Sequence, residues 1–491
     1  MKYRHPHIFS AFVSMSKMLL LLLLPLIRGL LTSLGGGFQA WLQSAWIDIL
    51  VVCFILVFGF LGWWYSGFLV QENHLVIRNG IFLKKVRSVP LEQISWASIT
   101  NAWYLRPFGA VRFRADTLGG SSRESDFSML LRRKDARQLF SLLGKNTVIL
   151  PEEQKAYHPR DIYVVLLSAI TSNSLAGILL AAAGISQIGD LLGKEFSERI
   201  YGTLEQLARL AAFGIPPAAA ALGYLLIGGW LLAFASNLIR LKNLSVIRKG
   251  QRLHIQSGLF TLREYELDLR QINYLDIRQS AMTKLLKIES VYLYTAGYDK
   301  TREDVSVLVP AAFEKNNHKT LQHLLPEMLP SPRSIRPNPG AIFKFLIDAL
   351  WCCILIPAAS WLLCRLVPDW SQVIHYVGGI AMIPAIWFLI VRILDYMTSG
   401  LSRDGDTFTL RYSNLFYLHT IVLPRDRIVR VCFRQSILQW WDQKCDVIIY
   451  SRCEGQKKHH LRNLSLEECA LLFGLPGYIP KKHRQKKNKP L

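Results

Sequence analysis

Two basic clusters and one pair of opposite charges are the residues whose type and spacing could do chemistry. Lys84, Lys85 and Arg87 follow closely on an Asn79-Gly80 turn. Cations at that density could hold a phosphate headgroup or be drawn to an anionic membrane surface. Lys481, Lys482, Arg484, Lys486, Lys487 and Lys489 form a polybasic tail. A run of that kind is held loosely to anionic lipid by about 1 kcal/mol per charge near the surface. Arg28 interrupts a leucine run and Asp48 begins the next apolar run, so the two could meet at similar depth in a bilayer as an intramembrane pair, or sit separately at the outer interface. No catalytic, cofactor-binding or metal-binding set is expected. Cys53, Cys352, Cys353 and Cys364 lie in apolar runs, Cys432, Cys445, Cys453 and Cys469 form no CxxC pair, and the histidines form no HExxH pattern. There is no P-loop, GxSxG, paired carboxylate motif or GxGxxG opening a helix.

The elements that must position these charges are set by composition. Hydrophobic residues make up 51% of the 491 and the formal charge is +23, with a mean hydropathy of +0.22, which points to a membrane protein with anionic partners. Apolar stretches of spanning length fall near residues 17–34, 46–69, 162–184, 210–237, 342–364 and 373–397. They read as six spans in three hairpins, over residues 1–69, 161–237 and 341–397. Polar blocks occupy 70–160, 238–340 and 398–480, ahead of the tail at 481–491. Basic residues outnumber acidic ones in 70–160, 238–340 and 398–491 by seven, six and nine. The positive-inside rule then puts both termini and all three blocks on the cytoplasmic side of a cell membrane. Lys344 and Asp348 read as an ordinary i, i+4 helix pair. A cleavable signal peptide is not expected, since Pro25 and Arg28 follow the leucine run and no small-x-small site is clear.

The polar blocks repeat one β module. Residues 75–119 align with 253–297 without a gap, and the identities include Leu75/Leu253, Ile77/Ile255, Gly80/Gly258, Leu91/Leu269, Gln93/Gln271, Ile94/Ile272 and Ile99/Ile277. The glycine supplies a hairpin turn and the alternating aliphatics a core face. A third copy starts at "FTLRYSNLFYLHTIVLPRDRIVRVCF", with Asn414 at the Gly80 position once one residue is inserted, and Pro424 and Ile428 matching Pro90 and Ile94. Copies two and three share "IRQS" and "FRQS" at 277–280 and 433–436. Each copy is expected to close with a helix, signalled in the third by a capping box of Ser465 and Glu468. Phe108-Gly109 becomes Leu286-Lys287 and Asp442-Gln443, so the later copies have drifted there or pair differently. Lys84, Lys85 and Arg87 become Leu262, Arg263 and Tyr265, then Leu418, His419 and Ile421; the cluster does not recur, which argues against a shared headgroup pocket.

The stretch "GIFLKKVRSVPLEQI…FGAVRFRADTLGG" resembles the bacterial pleckstrin-homology-like (bacterial PH) domain of integral membrane proteins. The whole-chain plan resembles the YdbT-like membrane proteins of Gram-positive bacteria, which have repeated domains of this kind. The resemblance implies a small, bent β-sheet or barrel with a C-terminal helix for each module. The expected function is a non-enzymatic membrane scaffold that binds proteins at its modules. Its expected partners are anionic inner-leaflet lipid and either another bacterial PH-like membrane protein or a second copy. Nucleic acid is not expected, because no recognition motif accompanies the charge. The alternative is a transporter or export component built from the repeated hairpins.

Overall fold

A computed structural model describes residues 3–13, 15–16, 38–71, 73–81, 83–117, 126–145, 155–172, 202, 206, 217–295, 307–452 and 457–475. In chain order its main elements begin with helix α1 (Phe38–Tyr65), strands β1 (Gly67–Gln71), β2 (His74–Asn79), β3 (Lys85–Pro90), β4 (Ile94–Asn101), β5 (Ala110–Thr117) and β6 (Phe127–Arg132), and helix α2 (Arg133–Lys145). There follow β7 (Lys155–Tyr157), α3 (Asp161–Thr171), α4 (Pro217–Leu241), β8 (Ser245–Lys249), β9 (Arg252–Ser257), β10 (Leu262–Asp268) and β11 (Ile272–Ser280). Next come α5 (Ala281–Leu285), β12 (Ile288–Thr295), β13 (Val307–Phe313), α6 (Glu314–Leu324), α7 (Ile342–Leu366) and α8 (Ser371–Thr398). The chain closes with β14 (Gly400–Asp404), β15 (Thr407–Asn414), β16 (Tyr417–Pro424), β17 (Ile428–Arg434), α9 (Ile437–Trp441), β18 (Lys444–Ser451), β19 (Lys457–Ser465) and α10 (Leu466–Leu472). Two compact units emerge, Met1–Gln154 with Arg248–Leu269 and Lys155–Ile247 with Arg270–Leu491.

The six-span reading is corrected. Among the described residues three helices are long and apolar enough to cross a membrane: Gly223–Leu241, Pro339–Leu366 and Pro368–Thr398. The apolar parts of α1 and α3, Ile49–Tyr65 and Asp161–Thr171, are shorter. They fall below the roughly 20 residues that a 30 Å hydrocarbon core needs. The stretch expected at 17–34 lies outside the described residues. Among the described residues, the run at 46–69 was read as longer than its helix because it passes from α1 into β1.

In the first unit β1, β2 and β3 form one antiparallel sheet, and β6, β5, β4, β10 and β9 neighbour one another in that order in a second. The apolar faces of β1, β2, β4, β5, β6 and α2 meet in one core that includes Leu75, Ile77, Ile94, Ile99, Val111, Phe113, Leu131 and Leu139. In the second unit β13, β12, β11, β16, β15 and β14 form a six-stranded antiparallel sheet, and β17, β18 and β19 a three-stranded one. Strand periodicity produces this directly: along β9 every second residue, Leu253, Ile255 and Ser257, is buried. Each copy has the expected closing helix, α2, α6 or α10, after its last strand. The Ser465 capping-box bond is not made, although Ser465 does stand at the N-cap of α10.

Turn chemistry agrees with the repeat in two copies and departs from it in the third. Gly80 and Gly258 adopt φ of 112° and 111°, and a Cβ at either would lie 2.0 Å from the carbonyl oxygen of Leu83 or Thr261. In the third copy β15 and β16 run on until Asn414 faces Tyr417. The turn tightens, and Leu415 rather than Asn414 takes the positive φ, 51°. The Phe-Gly departures are conformationally silent, because Gly109, Lys287 and Gln443 all take positive φ, at 67°, 55° and 54°.

Candidate functional site

The feature that the fold builds twice is a seam between consecutive copies. In the first unit β10 of copy two pairs with β4 of copy one, so that Thr100 faces Arg263 and Ser98 faces Tyr265. In the second unit β16 of copy three pairs with β11 of copy two, so that Arg278 faces His419 and Asp276 faces Ile421. Ser98 and Asp276 hold equivalent places in the repeat, as do Tyr265 and Ile421. The two seams therefore share one antiparallel register.

Side chains differ between the seams. At the first, fully buried Trp96 and Tyr265 pack with ring centroids 6.3 Å apart, and the Arg114 guanidinium lies 6.0 Å from the Trp96 ring centre. At the second, the Asp276 side chain is 1% exposed. Its oxygens lie 2.9 and 3.0 Å from His419 Nδ1. Arg278 Nη2 donates to Asp276 Oδ2 and to the Tyr294 hydroxyl, each at 2.9 Å, and its guanidinium covers the Tyr292 ring at 4.3 Å. Burial by itself would raise the Asp276 pKa. The His419 hydrogen bond and charge, followed by the Arg278 charge, outweigh it and hold the carboxyl down to about 2. Arg278 is held above the usual arginine value: burial alone would lower it, but the Asp276 charge prevails. A buried carboxylate that is hydrogen-bonded to a histidine and paired with an arginine is what a low-dielectric seam tolerates; removing the arginine or the carboxylate would leave a charge uncompensated.

The network continues away from the carboxylate. Tyr412 stacks on His419 with centroids 5.5 Å apart. Its hydroxyl lies 2.9 Å from His459 Nδ1, and His459 Nε2 lies 3.0 Å from Ser451 Oγ. A Ser-His pair at this distance resembles a nucleophile and its base. Ser451 and His459 are both fully buried, so the arrangement ties β15, β18 and β19 together and offers no reachable nucleophile. Beside His419 lies a cavity of about 210 Å³ lined in part by Lys284, Arg333, Arg411, Glu289 and Glu314. Burial, followed by the Arg333 charge, lowers the Arg411 pKa to about 10, with Glu289 opposing. Burial raises the pKa of Glu289 itself, against a hydrogen bond from Asn317. The lining mixes signs and lacks the uniformly positive field that selects a phosphate headgroup.

The residues singled out from sequence are dispersed. Lys84, Lys85 and Arg87 are all exposed; Lys85 and Arg87 belong to β3, at the margin of its sheet, and Arg87 Nη1 donates to the Asp126 carbonyl at 3.1 Å. Lys481, Lys482, Arg484, Lys486, Lys487 and Lys489 lie outside the described residues, as does Arg28. Asp48 is within α1, but its side chain is not described. Lys344 and Asp348 do not pair with each other as read. Lys344 Nζ reaches Asp446 Oδ1 at 2.7 Å and Arg462 Nη1 reaches Asp348 Oδ2 at 2.9 Å, fastening α7 to β18 and β19. Sequence reading missed Asp276 and His419. The available signal was an acidic residue inside the strand-like run Ile272–Ile277, whose only other strongly polar member is Asn273.

The shared Arg-Gln-Ser signature has a structural cause. Gln279 donates to the Ile288 carbonyl at 3.0 Å and Gln435 to the Lys444 carbonyl at 2.7 Å. Ser280 and Ser436 each accept from a backbone N–H three residues on. A recurrent module is thus evident from backbone, turns and caps, and the bacterial PH domain model matches it three times, over residues 19–147, 204–328 and 353–473. The chain belongs to the bacterial PH domain family. It is 21% identical over 395 residues to the UPF0699 transmembrane protein YdbT of Bacillus subtilis (strain 168), covering 75% of this chain and 76% of that protein. No solved structure matches. With its long apolar helices, this is a YdbT-like membrane protein carrying repeated bacterial PH domains, and the seams are where successive PH modules share a sheet.

Proposed function

We propose that the chain is a non-enzymatic, multi-pass membrane scaffold. It presents its PH modules at the cytoplasmic face and joins proteins through strand edges. The observation that carries this reading is the repeated seam: two different pairs of modules meet by the same strands in the same register. Strand addition of this kind draws affinity from main-chain hydrogen bonds and specificity from alternate side chains. The apolar helices and the positive surplus of every polar block support the membrane-facing, cytoplasmic placement, and the basic tail would be drawn to anionic inner-leaflet lipid.

The test is cross-linking and mass spectrometry of the full chain in intact membranes with a lysine-reactive reagent. The expected map contains links from the PH modules to other polypeptides or to a second copy. A map with links inside one chain alone would remove the scaffold reading.

A further inference from the structure

Resting on that scaffold reading, we propose that β3 is a docking strand for a PH module in a different polypeptide. The incoming strand is the one that β4 and β11 represent here, and it carries Asp or Glu at the place of Asp276.

The same strand occurs in three settings. β10 and β16 lie inside their sheets, whereas β3 is the last strand of its own. Along β10, Arg263, Tyr265, Leu267 and Asp268 are buried. Along β3, Lys85, Val86, Arg87 and Ser88 are all exposed, with Val86 at 58%. Among the described residues no strand pairs with the outer edge of β3. An edge of this kind is a ready template for another strand. Because both internal seams use one register, the third is specified: Lys85 faces the residue at the Thr100 and Arg278 place, and Arg87 the one at the Ser98 and Asp276 place.

Charge then selects the occupant. Across β2, Lys85 faces Asn79 and Arg87 faces Ile77, so no acid on the neighbouring strand offsets these cations. The counterpart strand of copy three, β17, which is last in its sheet among the described residues, would put Arg434 opposite Lys85 and Cys432 opposite Arg87. Like charges directly opposite destabilise a ladder, which disfavours a second copy as the partner. At the second seam Asp276 reaches diagonally to His419, the residue equivalent to Lys85. An acid at that place in an incoming strand would compensate Lys85 in the same way.

The experiment places the photo-cross-linker p-benzoylphenylalanine at position 86 of the full chain in native membranes, with the same residue at position 264 as an internal control. Glu264 faces Ile99, so the control must yield an intrachain link to β4. At position 86 the expected adduct joins another polypeptide, and sequencing maps its peptide to the strand after the first hairpin of a PH module, bearing Asp or Glu. Lys85→Glu should lower that adduct about ten-fold and leave the control link intact. An adduct with β17 of a second copy, with a protein lacking a PH module, with lipid alone, or no adduct beside a working control would each overturn the proposal. A captured protein without a PH module, or protein links found elsewhere on the modules, would leave the scaffold reading standing.

Discussion

The seam in the first unit and the seam in the second have one backbone and two chemistries. β4 with β10 closes around Trp96 and Tyr265; β11 with β16 closes around Asp276, His419 and Arg278. The ladder and its register therefore carry the join, and the side chains at the Ser98/Asp276 place set how strongly and under what conditions it holds. The sharpest way to break the comparison is to remove the side chain at that place in each unit. Asp276→Ala strands a half-buried arginine and a half-buried histidine, and should cost about 3 kcal/mol. Ser98→Ala, at a fully buried hydroxyl with no donor or acceptor in reach among the described residues, should stay within about 1 kcal/mol. Hydrogen exchange on the solubilised full chain would show β11 and β16 losing protection in the first variant, with β4 and β10 unchanged in the second. Equal effects would mean that the carboxylate adds nothing particular to its seam.

Acid should separate the seams next. The Asp276 carboxyl titrates at about 2 in the fold against an ordinary 3.8. A depressed folded value stabilises above the unfolded pKa and is lost as pH falls through the folded one, so the window runs from about pH 4 down to about pH 2. The shift corresponds to about 2 kcal/mol. Exchange protection, corrected for the intrinsic rate at each pH, should fall across that window in β11 and β16 before it falls in β4 and β10. Parallel loss at both seams would assign the acid sensitivity to something other than this carboxylate.

What could be read in the sequence follows from what is local. The hairpin glycines, the alternating aliphatics and the Arg-Gln-Ser caps are short-range devices, and each appears where its residues placed it. Pairing across copies is not local: nothing in "LREYELD" says that it will lie against "ISWASITN" from the preceding module, because both runs carry the same period whichever strand they meet. For that reason the residues of the seam were passed over, while Lys84, Lys85 and Arg87 drew notice by their density within one short stretch. Helix ends were the other loss. The apolar run of residues 46–69 continues from α1 into β1, and hydropathy does not register the change from a helical rise to a strand.

The smallest test concerns the hairpin that opens each copy. Copies one and two turn on glycine, where positive φ is free of Cβ strain. Copy three turns on Leu415 at φ 51° with its side chain 64% exposed. A non-glycine residue in the left-handed region costs about 1–2 kcal/mol, and glycine returns roughly 0.5–1 kcal/mol of that through the greater freedom of the unfolded chain. Leu415→Gly should therefore stabilise the second unit by about 0.5 kcal/mol, visible as slower exchange in β15 and β16. Gly258→Ala, by contrast, must push its Cβ into the Thr261 carbonyl and destabilise the hairpin that builds the first seam. If Leu415→Gly weakened β15 and β16 instead, the leucine would be holding its turn through contacts that its exposure does not suggest, and the third hairpin would differ from the others in more than length.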